Sequence, residues 1–84
     1  MSPIQFKKIR ESFNMTQDEF SSCLGLAQKT VSQYEMGFRK PGPTVKIIVK
    51  ALELLPATQA KKLLDLMREV NLKNLNNESR KEKP

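Results

Sequence analysis

The segment from Met15 to Gly37 restricts the fold of this chain more than any other. Apolar residues fall at Phe20, Leu24, Leu26, Val31 and Tyr34, with Gly25 among them and the small Ser21 one step after Phe20. Thr16-Gln17-Asp18-Glu19-Phe20 has the form of a helix start. Thr16 can cap the amides of the first turn, Glu19 can reach back to the Thr16 amide, and Met15 and Phe20 stand where a hydrophobic staple forms. Asp18 and Glu19 also suit the positive end of the helix dipole. Gly25 suits the left-handed residue that closes a helix. A second helix then runs from Ala27 or Gln28 to Met36 and stops at Gly37. Two short helices crossing at roughly 90–120° explain every one of these positions. The five apolar residues fill the angle between them, Ser21 lets the second helix pass close, and Gly25 turns the chain.

The rest of the sequence also reads as helix. Strand-like alternation of apolar and polar residues is absent. Ser2-Pro3-Ile4-Gln5 predicts an N-cap, a proline at the first helical position and a Gln closing a capping box. Phe6, Ile9 and Phe13 then form a core-facing stripe that ends near Ser12 to Asn14. Phe38-Arg39-Lys40-Pro41-Gly42-Pro43 is a loop by composition. A fourth helix opens at Pro43 or Thr44 and reaches about Leu55, carrying two stripes: Val45/Ile48/Val49/Leu52/Leu55 and Ile47/Ala51/Leu54. That is more apolar surface than one face needs, so this helix is either central or partly covered by a partner. Pro56 breaks it. A fifth helix follows from about Ala57 to Asn71, with Ala60, Leu63, Leu64, Met67 and Val70 facing inward. From Lys73 to Pro84 only Leu75 is apolar, which predicts a disordered basic tail. The expected architecture is all-α: a compact five-helix domain over residues 1–72 and a flexible tail over 73–84. Eighty-four residues leave room for one domain.

Composition narrows the chemistry. The chain has no His and one Cys, so the usual Cys/His zinc sites and His-based triads are not available to it. Its three glycines form no phosphate-cradling loop. No apolar run approaches the roughly 20 residues of a membrane span, and the N-terminus lacks the apolar stretch of a signal peptide. The expectation is a cytoplasmic binding protein rather than an enzyme, with no cofactor, metal, membrane or small-molecule ligand. Cys23 reads as a small buried hydrophobe without an internal disulfide partner. Fifteen Lys and Arg against nine Asp and Glu give +6, which suggests a polyanionic partner. The excess lies outside residues 16–40, where Lys29, Arg39 and Lys40 balance Asp18, Glu19 and Glu35. Lys61 and Lys62 read as a solvated face.

Thr16-Gln17-x-Glu19-Phe20-Ser21-x-x-Leu24-Gly25, followed by Val31-Ser32-x-Tyr34-Glu35-x-Gly37-x-Arg39-x-Pro41, resembles the helix-turn-helix of XRE-type regulators. These are relatives of the lambdoid phage Cro and repressor DNA-binding domains. The resemblance covers roughly residues 4–56, with the helix-turn-helix at about 16–36. It departs at Ser21, where the family usually has Ala, and at Ala27, where a Ser or Thr usually caps the second helix. Loss of such a cap costs roughly 1 kcal/mol.

The resemblance implies a lambda-repressor-like fold whose recognition helix, 28–36, enters the major groove of double-stranded DNA. Gln28, Lys29, Ser32 and Gln33 are then the base-contacting candidates, Gln matching adenine and Lys matching guanine. Gln17, Thr30, Arg39, Lys40 and Arg10 are the phosphate-contacting candidates, with Lys46 beyond them. Arg10 and Glu35 match family positions that commonly pair. The implied function is a sequence-specific transcriptional regulator, expected to be a repressor binding an inverted-repeat operator as a homodimer. The alternative is an antitoxin that binds a toxin protein and represses its own operon. Lys40-Pro41-Gly42-Pro43 running into a Leu-rich helix resembles helix-turn-helix antitoxins of the motility-quorum-sensing type. A third reading, an interaction module that has lost DNA binding, is disfavoured by the intact polar face.

Overall fold

In a computed structural model the chain forms five helices: α1 (Pro3–Ser12), α2 (Gln17–Leu24), α3 (Gln28–Met36), α4 (Pro43–Leu54) and α5 (Ala57–Lys81). The structure describes the backbone of residues 1–81 and the side chains of residues 1–72. No strand occurs among the described residues. The helix starts at Pro3, Gln17, Gln28, Pro43 and Ala57 fall where the sequence places them.

The local causes are visible at each boundary. The Gln5 amide donates to the Ser2 hydroxyl at 3.1 Å, so Ser2 caps α1. The expected box does not close there. Gln5 instead sends its side-chain amide across to the Glu53 carboxylate on α4, at 3.1 and 3.4 Å. At α2 the box is complete: the Glu19 amide donates to the Thr16 hydroxyl at 3.1 Å, and the Thr16 amide donates to the Glu19 carboxylate at 2.9 Å. The bond from the Thr16 amide foremost, and then the Thr16 side chain, hold the Glu19 carboxyl below its ordinary pKa. Asn14 takes the left-handed conformation (φ +56°) between α1 and α2, a place short amide side chains tolerate.

Phe6 of α1 sits at the centre of the core. Its ring meets Phe20 of α2 edge-on at 5.6 Å and Tyr34 of α3 at 5.5 Å. Such perpendicular pairs each add about 0.5–1.5 kcal/mol beyond the area they bury. Ile9, Cys23, Val31, Val49, Leu52, Ala60 and Leu64 complete the buried set, with Phe13, Met15, Leu24 and Leu26 packed partly against it. Ser21 is buried and its hydroxyl donates to the Asp18 carbonyl at 2.7 Å. The replacement of Ala by Ser therefore leaves no unsatisfied group at the helix crossing.

On α4 the stripe from Val45 to Leu55 faces the core, whereas Ile47 and Leu54 of the second stripe are 69% and 73% exposed. The helix is therefore peripheral rather than central. On α5 Ala60 and Leu64 are buried as expected, but Val70 is 46% exposed and its neighbour Asn71 points inward. The α5 backbone is helical to Lys81, beyond the end near Asn71 that the apolar stripe predicts; no Gly or Pro interrupts residues 72–81. The tail expected over 73–84 falls outside the described side chains.

Candidate nucleic-acid interface

The turn between α2 and α3 is built from backbone chemistry. Gly25 ends α2 in the left-handed region (φ +71°), and its amide and that of Leu26 both reach the Ser21 carbonyl. Ala27 then leads into α3 with no side-chain cap, as its residue type requires. Gly37 closes α3 at φ +80°, and the Phe38 amide folds back onto the Gln33 carbonyl at 3.0 Å. This sends Arg39 and Lys40 into an exposed loop directly after the helix.

A chain of side-chain hydrogen bonds runs from the surface of α3 to the interior. Gln28 donates through Nε2 to Gln17 Oε1 at 2.8 Å. Gln17 in turn donates to Glu35 Oε1 at 3.1 Å. Glu35 receives a two-pronged contact from Arg10, Nε to Oε2 at 2.6 Å and Nη2 to Oε1 at 3.0 Å. The remaining prong of Arg10, Nη1, reaches the Met15 carbonyl at 2.7 Å. Planar fork-to-carboxylate pairing of this kind is among the stronger charge-assisted contacts. It ties α1, α3 and the connection into α2 together.

The charges behave accordingly. Burial pushes the Glu35 carboxyl upward, but hydrogen bonds from Arg10 and Gln17 and the charges of Arg10 and Lys7 outweigh it, so the net shift is downward. The hydrogen bond to Glu35 raises Arg10 further above its ordinary value. Glu35 is thus charged but neutralised from inside, its side chain 4% exposed. Residues 16–40 are formally neutral, yet their outward-facing charges are Lys29, Arg39 and Lys40 against Asp18 and Glu19.

The residues singled out in the sequence are thus distributed unequally. Gln28 and Lys29 are exposed at the start of α3, while Thr30, Ser32 and Gln33 are half-buried further along it. The Ser32 hydroxyl lies 3.6 Å from the Met36 sulfur. Gln17 stands at the first position of α2, half-buried between Gln28 and Glu35. Arg39 and Lys40 are exposed. Arg10 is 9% exposed and its guanidinium is engaged on three sides. It belongs to the pairing with Glu35 rather than to the outer surface.

Asn71 was not among the expected site residues. From α5 its side-chain amide donates to the Cys23 carbonyl at 2.7 Å and the Ser22 carbonyl at 3.4 Å, at the last turn of α2. Its polar place at the end of an otherwise apolar stripe was the available signal.

The fold and this arrangement define a helix-turn-helix DNA-binding domain. The helix-turn-helix family model matches residues 6–65, and the chain belongs to that family, the XRE-type DNA-binding transcriptional regulators. Neither the curated proteins nor the solved structures give a significant match. Among the described residues no helix is long and apolar enough to cross a membrane.

Proposed function

We propose that this regulator is a repressor that reads an inverted-repeat operator as a homodimer, each copy placing α3 in the major groove. The observation that carries the reading is the Gln28–Gln17 hydrogen bond. It occupies one of the two N–H groups of Gln28, an exposed residue, and leaves the other N–H and Oε1 available. One donor and one acceptor are what the major-groove edge of adenine requires. Gln17 is oriented in the same way, since its contacts to Glu35 and Gln28 leave one N–H for a phosphate at the start of α2. Backbone amides at a helix N-terminus assist such a contact.

Lys29, Ser32 and Gln33 complete the base-reading set in this proposal, and Thr30, Arg39 and Lys40 the backbone-contacting set. Arg10 is left out of it, because leaving Glu35 would strand a buried carboxylate. A single recognition helix reads only a few base pairs, so two copies one DNA turn apart, about 34–36 Å, supply the specificity. Exposed Ile47 and Leu54 on α4, with the smaller Ala51 between them, are the apolar surface that supports self-association. Such a protein acts where the DNA is, in the cytoplasm. A toxin partner finds no specific support in the geometry.

Selection of bound sequences from random duplex DNA tests this directly. The expected product is an inverted repeat with half-sites about one helical turn apart. Recovery of a single asymmetric site would overturn the homodimer, and failure to enrich any sequence would overturn specific reading.

A further inference from the structure

We infer that Asn71 is a positioning residue for DNA reading, acting as a clamp from α5 on the turn between α2 and α3. The inference rests on the assignment of α3 as the reading helix and adds a residue outside the motif. The last carbonyls of a helix have no partner within it. At the end of α2 the Ser21 carbonyl is served by the amides of Gly25 and Leu26. The next two carbonyls, of Ser22 and Cys23, are served by the side chain of Asn71. Cys23 is itself buried, so its carbonyl has little access to water as a substitute.

The second observation comes from Gly25. A Cβ placed there would lie 2.8 Å from the Asn71 side-chain oxygen and 3.1 Å from its Cγ. The amide group of Asn71 therefore fills the space beside Gly25 while its nitrogen holds the end of α2. Three residues later Gln28 begins α3, whose start lacks a side-chain cap. The approach of the reading helix is thus fixed by the turn, and the turn is fixed from α5. The α5 positions Ala60, Leu64 and Asn71 share one face, two of them buried apolar residues and the third an amide. A methyl-bearing side chain at 71 would fill space but leave the carbonyls unserved.

The test pairs amide exchange with DNA binding in the full chain. Asn71→Asp keeps the shape but cannot donate, and Asn71→Ala removes both shape and donor. Both should speed exchange at the Gly25 and Leu26 amides about tenfold relative to the amides of Phe20 and Val31. Asn71→Ala should lower affinity for the selected operator about tenfold while leaving affinity for random duplex unchanged. Wild-type exchange in Asn71→Asp would overturn the clamp. Equal losses on operator and random duplex would overturn the positioning role and leave only a contribution to stability. A wild-type chain that prefers no sequence would overturn the reading-helix assignment instead, and the exchange data would still decide whether Asn71 holds the turn.

Discussion

Gln28 on α3 and Gln17 on α2 are joined amide to amide, Nε2 to Oε1 at 2.8 Å, across the helix-turn-helix. The two residues are therefore one unit. Their effects on binding should not add. In a double-mutant cycle with Gln17→Ala and Gln28→Ala, operator affinity should show a coupling of about 0.5–3 kcal/mol. Strict additivity would mean that Gln17 does not orient Gln28 on DNA.

Gln33→Ala should cost about 1–3 kcal/mol at the operator and relax one base preference, as should Gln28→Ala. Arg39→Ala should behave differently. Its loss weakens all sequences alike and lowers the salt slope by about one. Binding titrations at several salt concentrations distinguish the two behaviours, and a base-selective effect of Arg39→Ala would contradict its assignment to a phosphate.

The Arg10–Glu35 pair predicts acid sensitivity. The folded carboxyl lies below its ordinary value of 4.5, so the unfolded chain binds a proton more readily. The stability it contributes is fully present above about pH 4.5 and is lost as pH falls through the lower folded value. Thermal unfolding across that range should show a falling midpoint. Glu35→Ala should flatten that fall and, by leaving Arg10 buried and uncompensated, lower stability by about 3–5 kcal/mol.

Gly25→Ala should destabilise by about 1–2 kcal/mol through its positive φ alone. The near contact with Asn71 adds to this. In the Asn71→Ala background the second contribution should vanish, so Gly25→Ala should cost less there. Urea unfolding of the four variants measures it.

Replacing Ile47 and Leu54 by Glu should leave the monomer folded, because both side chains are exposed. Sedimentation of the protein on a palindromic duplex should shift from two copies per duplex to one. Retention of two would move the dimer surface elsewhere.

The helix-turn-helix was legible because its constraints are local. Thr16, Glu19, Gly25 and Gly37 each act on the backbone within a few residues, and all four do in the structure what their types and spacing predict. The outer boundaries of α1 to α4 followed for the same reason. What could not be read were the contacts between distant segments. Gln5 has the right type and spacing to close a box on Ser2, yet a carboxylate 48 residues away takes its amide. Periodicity ranks residues by hydrophobicity and so places Val70 on the inward stripe, although Val70 is 46% exposed and its neighbour Asn71 turns inward. At that place α2 presents carbonyls, not methyl groups, and the inward position needs a donor. The two stripes of α4 were visible, but which one faces the core depends on where α1 and α5 lie.

The hydrogen-bonded line from Gln28 through Gln17 and Glu35 to Arg10 also bears on how binding preference can drift among descendants of this chain. Lys29 and Gln33 are bonded to no other side chain among the described residues, so under the proposed reading exchanging either should alter the base preference and little else. Exchanging Gln28 also frees Gln17, and exchanging Gln17 removes a donor from Glu35. New operators should therefore be reached through positions 29 and 33 first, with the pair at 17 and 28 changing together or not at all.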